Sequence, residues 1–280
     1  MTKRDGTVPQ WVHTCQLGHL EKCHDLLADE VPVALVYNGV SHAVMMASPV
    51  DLDDFALGFS LSEGILTDAS ELYDWSLQET AAGWVVELAI ASSRMAALKK
   101  RRRNLTGRTG CGLCGTESLD QAIRPVAHVQ APQLSHSAVE HAITTLEAHQ
   151  PLQAITGASH GAAWCSLEGE IMLVREDIGR HNALDKLIGA LAKESLSGEG
   201  PKHTLNRRLS QGFVLVSSRA SYEMVHKSAS VGIGALVSVS AATGLAVDQA
   251  RKAGLLLIGF ARPKRHVIYH RPAIRSVANG

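Results

Sequence analysis

The sequence lacks the features of a membrane-spanning or secreted protein. None of its apolar stretches approaches the ~18 residues that cross a bilayer, and no apolar segment of roughly 7 to 15 residues follows the basic N-terminus, as a signal peptide requires. It also lacks an excess of either charge, because 27 Lys and Arg residues balance 27 Asp and Glu residues. These absences argue against a membrane or nucleic-acid partner, and we expect a cytoplasmic protein.

Cysteine is scarce, and its odd count of five argues against a disulfide framework. Cys15, Cys23 and Cys165 have no closely spaced partner, so we expect them to be ordinary core or surface residues. Only Cys111 and Cys114 form a close pair. Hydrophobic residues make up 45% of the chain, which is enough to bury a core.

The first part of the chain predicts a small α+β domain over residues 1–105. The first ten residues or so are expected to be frayed. Apolar runs on either side of residues 38–39, Asn-Gly, and of residues 82–83, Ala-Gly, predict two β-hairpins. Between them, Ser48 as a cap and Pro49 at the first helical position predict the start of a helix.

The last part of the chain predicts a three-layer α/β domain over residues 126–280. Its strand patterns are continuous apolar runs separated by helical patterns, which indicates a sheet covered on both faces. The predicted strands are "AITGASHGAAWCSL", "EIMLVRED", "GFVLVSS", "GALVSVS", "LLLIGFA" and "HVIYH".

The stretch "GRTGCGLCGTESL" places Cys111 and Cys114 in a glycine-rich loop, predicted to be flexible, over residues 106–125. A structural zinc site would need a second pair of ligands, which the sequence does not offer, so no metal is expected. A thioredoxin-type redox pair sits at a helix N-terminus, and the interleaved glycines disfavour a helix. A sulfur carrier needs a mobile thiol near positive charge, which Arg108 and the run at 99–103 supply. A loop with incidental thiols remains an alternative.

This loop resembles the signature loop of the FdhD family of formate dehydrogenase accessory sulfurtransferases. The resemblance continues in "REDIGRHNALDKLIGA", "SSRASYEMVHKSASVGIGALVSVSAATGLAV" and "LIGFARPKR". It implies a cytidine-deaminase-like large domain without zinc chemistry, and a homodimer. It further implies that sulfur passes from a cysteine desulfurase to the bis-molybdopterin guanine dinucleotide cofactor of formate dehydrogenase. By position, Cys111 matches the persulfide-bearing cysteine, and Cys114 matches its companion, for relay or release of the sulfur.

The same resemblance assigns a segment that contacts the guanine dinucleotide: Phe260, Ala261, Arg262, Pro263, Lys264 and Arg265. Lys264 departs from the family, in which a small residue, often Gly, is expected. The segment follows the carboxyl end of a predicted strand, where α/β sheets bind ligands, although a basic surface turn would look the same. Other polar residues at strand-to-helix turns are candidate ligands of the cofactor: Arg180, His181, Arg219, Ser240 and Thr243. For these, hydrogen bonding within the fold is the alternative.

Two further readings of the chain stay open. A cofactor chaperone would bind the nucleotide without carrying sulfur, and a thiol-disulfide redox protein would cycle Cys111 and Cys114. The run Lys99, Lys100, Arg101, Arg102 and Arg103 ends a predicted helix, where the helix dipole favours positive charge, or it binds an anionic partner.

Overall fold

The computed structural model describes residues 5–103, 124–197, 209 and 211–273. Residues 106–123 of the predicted loop, with Cys111 and Cys114, lie outside the described residues. In the part of the chain that the structure describes, no helix is long and apolar enough to cross a membrane.

The chain begins with an antiparallel hairpin of two long strands, β1 (Thr7–Gln16) and β2 (His19–Ala28). The expectation of a frayed start is therefore wrong from residue 7 onward. Both faces of this hairpin are largely exposed, and Trp11 and Leu20 are among its exposed apolar side chains. Since neither face is buried, the strands carry no alternation of apolar and polar residues that would predict them.

A four-stranded sheet follows, with the order β4-β3-β6-β5. It consists of two hairpins, β3 (Val31–Tyr37) with β4 (Val40–Ala47) and β5 (Leu72–Thr80) with β6 (Gly83–Ile90), as predicted. Strands β3 and β6 pair in parallel. The helix predicted between the hairpins is α1 (Leu52–Ser62), and α2 (Ser92–Arg103) ends in the basic run.

The predicted start of α1 at Ser48 and Pro49 is wrong, because the helix begins at Leu52 after Asp51. Ser48 is fully buried, and its backbone N–H and its hydroxyl each donate to the Asp177 carboxylate at 3.0 Å. The Ser48 hydroxyl therefore bonds to Asp177, a residue distant in the sequence, and does not cap the helix.

The second half of the chain forms a six-stranded mixed sheet with the order β12-β11-β10-β9-β7-β8. Its strands are β7 (His160–Ser166), β8 (Ile171–Asp177), β9 (Gly212–Val216), β10 (Ala235–Ser238), β11 (Leu256–Arg262) and β12 (Arg265–His270). Its helices are α3 (His136–Leu146), α4 (Pro151–Thr156), α5 (Arg180–Ser197), α6 (Tyr222–Ser230) and α7 (Gly244–Ala253). The strand predicted from residue 154 is wrong at its start, because residues 154–156 close α4, which begins at Pro151 and is capped by Gly157.

Helices cover both faces of this sheet. On one face, Trp164, Val214 and Leu236 pack in a cluster with side chains of α5, α6 and α7, and on the other, Cys165 and Phe213 pack with α3. The predicted mixed α/β architecture is therefore confirmed. The first cluster also contains residues of β3, β6 and α1, so one continuous hydrophobic core joins the four-stranded sheet to the six-stranded one.

Candidate functional site

The candidate cofactor-binding residues predicted from the sequence lie at one edge of the six-stranded sheet, whereas Cys111 and Cys114 lie outside the described residues. Strands β9, β10 and β11 are parallel, and β7 runs opposite to both β8 and β9. The carboxyl ends of β8 to β11 and the start of β7 therefore share an edge, which we name the carboxyl edge. It comprises His160 and residues 177–181, 217–222, 239–243 and 260–265. Helices α5, α6 and α7 all begin there, and backbone N–H groups at helix N-termini favour anions.

Phe260 presents an aromatic ring at this edge, with 42% of its surface exposed. Its backbone is in the left-handed region, at φ 48°, a conformation that costs a bulky residue on the order of 1–3 kcal/mol. The Phe260 N–H donates to the Ser240 carbonyl at 2.9 Å, and a Cβ on the preceding Gly259 would lie 3.0 Å from that same oxygen. The close approach of β11 to the β10 turn thus holds the ring outward.

The turn after Phe260 carries exposed cations. The Arg262 guanidinium donates to the carbonyls of Val239 and Ala261, so its Nη1 is fixed at the end of β10. Lys264 has φ 66°, and its N–H donates to Glu140 at 3.1 Å. The backbone of Lys264 is thus in the left-handed region, which glycine adopts without strain. This is a physical reason why a small residue, often Gly, is expected at position 264. Ala261 is buried, whereas Pro263 and Arg265 are exposed.

The turns after β9 and β10 are joined to each other. The Ala220 N–H donates to Ala241, and the Thr243 N–H donates back to Ala220, both at 3.1 Å. The Thr243 hydroxyl caps α7 by accepting from the Ala246 N–H, so this side chain has a role within the fold. Arg219 is exposed in the turn after β9, and Ser240 is half-buried in the turn after β10.

Arg180 and His181 lie at the first turn of α5. His181 Nε2 is 2.7 Å from the Glu223 carboxylate of α6, and the hydrogen bond from His181 lowers the pKa of Glu223. Arg180 Nε is buried and has no hydrogen-bond partner among the described residues, which is the condition of a group that awaits a ligand. His160 also lies at this edge, opposite Asp177, and was missed as a candidate. Burial lowers its pKa, and the nearby charges of Arg180 and His181 lower it further.

A fully buried carboxylate holds the turn that leads into α5. Asp177 Oδ2 lies 2.7 Å from Lys186 Nζ, and both side chains are inaccessible to solvent. Asp177 Oδ1 accepts from the Gly179 N–H at 2.8 Å and from Asn182 Nδ2 at 3.0 Å. Burial lowers the pKa of Lys186, although the Asp177 charge opposes this. The network fixes the backbone from which Arg180 projects.

Arg124, the first described residue after the cysteine segment, is attached to the start of α6. Its N–H donates to the Tyr222 hydroxyl at 2.7 Å, and its guanidinium lies 2.6 Å from Glu63. Burial would raise the pKa of Glu63, but Lys227 and Arg124 outweigh burial and lower it to about 2.

One cavity of about 820 Å³ is lined by residues that do not belong to the carboxyl edge. Its lining includes Leu61, Arg124, His128 and Ile233. We place the candidate site at the carboxyl edge because exposed cations, an exposed aromatic ring and three helix N-termini meet there. Within the described ranges, no three His, Cys, Asp or Glu side chains are grouped so that they could hold a metal ion.

Comparison with known proteins identifies relatives over most of the chain. The FdhD/NarQ family matches residues 28–275. A curated sulfur carrier protein FdhD from Cupriavidus necator is 54% identical over 256 residues, covering 91% of this chain and 85% of that protein. Another, from Xanthomonas euvesicatoria, is 48% identical over 271 residues, covering 96% and 92%.

A crystal structure of similar fold comes from Desulfotalea psychrophila, from a protein described as a putative formate dehydrogenase accessory protein. Its TM-score is 0.68 at 22% identity, with 95% of this chain and 97% of that chain covered. At this identity the likeness supports the fold.

Proposed function

Because the chain belongs to the FdhD/NarQ family, we propose that it is a sulfur carrier that serves the maturation of formate dehydrogenase. Family membership confirms the resemblance drawn from the four sequence motifs. Curated relatives at 48 to 54% identity carry the name sulfur carrier protein, which supports the sulfur-transfer role.

We propose Cys111 as the thiol that carries the sulfur. Its thiolate attacks the outer sulfur of a cysteine desulfurase persulfide, so a new S–S bond forms and the desulfurase thiolate leaves. The acceptor is a bis-molybdopterin guanine dinucleotide cofactor whose metal is reduced. The metal gives two electrons to the transferred sulfur, which becomes a sulfido ligand, while an oxygen ligand departs as water and Cys111 is left as the thiol. Cys114 either relays the sulfur or attacks the persulfide to release it.

We assign the nucleotide end of this acceptor to the carboxyl edge. The observation that supports it most is the exposed Phe260 ring, held outward on a strained backbone beside Arg262. A guanine base can stack on such a ring, and phosphates suit the helix N-termini and Arg180 Nε, which is buried without a hydrogen-bond partner in the part of the chain that the structure describes. The edge from β8 to β11 spans four strand spacings, about 19 Å, so it fits an elongated ligand.

The proposal includes a homodimer that acts in the cytoplasm. Cys15, Cys23 and Cys165 are all free thiols, which fits a reducing compartment. Either molybdenum or tungsten is compatible with the mechanism.

Labelled persulfide transfer tests the proposed function. The full-length protein is incubated with a cysteine desulfurase and [³⁵S]cysteine, and its intact mass and label are measured before and after reduction. We expect one added sulfur in the wild type, none in Cys111→Ala, and wild-type labelling in Cys15→Ala, which removes an exposed thiol of the hairpin. Full labelling of Cys111→Ala would contradict the role of Cys111.

The same samples separate the two alternative functions. A cofactor chaperone would bind GDP, a probe for the guanine nucleotide, but would take no label. A redox protein would form a Cys111 to Cys114 disulfide with a defined potential, and it would do so without the desulfurase.

A further inference from the structure

The turn that joins β11 to β12 concentrates positive charge. Arg262 ends β11, Arg265 begins β12, and the two residues pair directly across the hairpin. Pro263 and Lys264 form the turn between them, so three cations lie within four residues. Like charges directly opposite each other destabilise a strand pair, and none of residues 260–265 is acidic. A negative charge supplied by another element would therefore stabilise the turn.

Lys264 adds strain to this turn. Proline at the second position and a positive φ at the third position are the pattern of a type II turn, in which the third position favours glycine. The third residue here is Lys264, at φ 66°. A residue with a side chain is less stable than glycine in this left-handed region. The turn therefore needs a further interaction to hold its conformation.

Glu140 of α3 supplies that interaction. Its Oε1 accepts the Lys264 N–H at 3.1 Å. The helix that carries Glu140 is firmly placed, because the adjacent Val139 packs in one buried cluster with Ile258 and Ala261 of β11. The carboxylate thus holds the Lys264 backbone from a rigid support, and its charge offsets part of the positive charge of the turn.

A second contact joins the same face of α3 to the next strand. His136 lies one helical turn before Glu140, so the two side chains share a face of the helix. His136 Nδ1 is 3.2 Å from His266 Nδ1, and the ring centroids are 4.7 Å apart. Helix α3 therefore holds both the turn and the start of β12.

We propose that Glu140 is a positioning residue for nucleotide binding, because it keeps the turn from Arg262 to Arg265 in the conformation that meets the phosphates. This inference rests on the proposed function, in which residues 260–265 contact the guanine nucleotide. Glu140 acts through Lys264 and does not contact the nucleotide itself. His136 assists by holding the strand that follows the turn.

The direction of the effect separates positioning from simple electrostatics. A carboxylate near bound phosphates repels them, so its charge alone predicts that Glu140→Ala binds GDP more tightly than the wild type. Positioning predicts the opposite, because loss of the hydrogen bond lowers the fraction of molecules with the correct turn. A lost hydrogen bond of ordinary strength changes that fraction by about two- to tenfold.

The test measures GDP affinity by calorimetric titration of the full-length protein. We expect Glu140→Ala to bind GDP about two- to tenfold more weakly than the wild type. Glu140→Gln keeps an oxygen that can accept the Lys264 N–H, so it should bind GDP at least as tightly as the wild type. Glu147→Ala is the matched control and should leave the affinity unchanged, because it removes the same charge from an exposed residue just beyond α3.

Two further variants test the contacts of α3 and the strain at Lys264. A variant with both His136→Ala and Glu140→Ala loses both contacts, and it should bind GDP more weakly than Glu140→Ala alone. In a Lys264→Gly background, Glu140→Ala should change GDP affinity by less than about twofold, since glycine adopts a positive φ without the support of the carboxylate.

Three results would each overturn the proposal. The first is GDP binding by Glu140→Ala that equals or exceeds that of the wild type. The second is an equal loss of affinity in Glu140→Ala and Glu140→Gln, because the glutamine keeps the hydrogen bond. The third is a loss that is just as large in the Lys264→Gly background.

Hydrogen exchange at the Lys264 amide tests the contact in the absence of nucleotide. The amide should exchange several-fold faster in Glu140→Ala than in the wild type or in Glu147→Ala, and unchanged exchange would contradict the hydrogen bond. If the wild type binds no GDP but the Lys264 amide shows this difference, the assignment of the nucleotide to this turn fails while the role of Glu140 in the turn stands.

Discussion

Gly58 of α1 and Gly189 of α5 face each other where these two helices cross. A Cβ at Gly58 would lie 1.7 Å from the Asp185 carbonyl oxygen, and a Cβ at Gly189 would lie 1.9 Å from the Asp54 carbonyl oxygen. Side chains at these two positions would therefore force the helices apart. The crossing packs α1, which follows the four-stranded sheet's first hairpin, against α5, which begins at the candidate site.

Gly58→Ala should lower the free energy of unfolding by about 3 kcal/mol, at the upper end of the range for overpacked cores. Gly244→Ala is the control, because Gly244 begins α7 and a Cβ added there would meet no atom within 4 Å. Urea unfolding of both variants measures the difference. A Gly58→Ala variant as stable as the wild type would contradict the close crossing.

Lys186→Met should lower the free energy of unfolding by about 3–5 kcal/mol, because it leaves the buried Asp177 carboxylate without its cation. Lys252→Met, on the exposed face of α7, should change it by less than about 0.5 kcal/mol. Chemical denaturation checks both values. If Lys186→Met costs under about 1 kcal/mol, the pair does not stabilise the turn before Arg180.

Phe260→Ala should weaken GDP binding by about 5- to 150-fold, since base stacking on an aromatic ring contributes about 1–3 kcal/mol. Ile268→Ala removes another exposed apolar side chain, from the neighbouring strand β12, and should bind GDP as the wild type does. Calorimetric titration gives the affinities. Equal affinities for Phe260→Ala and the wild type would remove the ring from the nucleotide site.

Phe260→Gly should be more stable than Phe260→Ala by about 1 kcal/mol, because glycine adopts φ 48° without strain. Its affinity for GDP should remain as low as that of Phe260→Ala. Thermal unfolding of the two variants side by side measures the strain. An alanine variant that is the more stable of the two would show that the backbone at this position is relaxed.

The free energy of unfolding should decrease at low pH because Glu63 becomes protonated. Its pKa is about 2 in the fold, against an ordinary value of 4.5 for the unfolded chain, so its stabilising effect is complete above about pH 4.5 and is lost as the pH falls towards 2. Glu63→Gln should therefore lose less stability between pH 7 and pH 3 than the wild type does. Glu168→Gln, at an exposed position, serves as the control. If the stability of all three proteins decreases equally between pH 7 and pH 3, the result would contradict the lowered pKa of Glu63.

The second half of the fold could be predicted well because its strands are buried on both faces. Continuous apolar runs such as residues 255–261 identify such strands directly, and the turns after them identify the carboxyl edge. The hairpin β1–β2 could not be predicted, since its exposed faces leave no periodic pattern. The start of α1 was misplaced because a long-range contact with Asp177 takes up Ser48.

Site residues at the carboxyl ends of the parallel strands could be predicted from the sequence. Site residues on other elements were harder to predict. Arg219 and Ser240 follow β9 and β10, and Phe260 lies near the carboxyl end of β11, as the apolar strand patterns predict. His160 was missed because it stands at the beginning of β7, which reaches the same edge only by running antiparallel. The hydrogen bond from the Arg124 N–H to the Tyr222 hydroxyl joins residues that are 98 positions apart in the sequence. Such contacts leave no signal in local patterning.

The crossing of α1 and α5 also has a consequence for how the chain is made in the cell. Gly58 and Gly189 are 131 positions apart, and ribosomes add about 5–20 residues per second, so α1 leaves the ribosome about 7–26 s before the helix that covers it. During that interval the face of α1 that packs against α5 has no native partner. We expect nascent chains stalled before residue 180 to be protease-sensitive and to bind chaperones, and chains released beyond residue 270 to escape both.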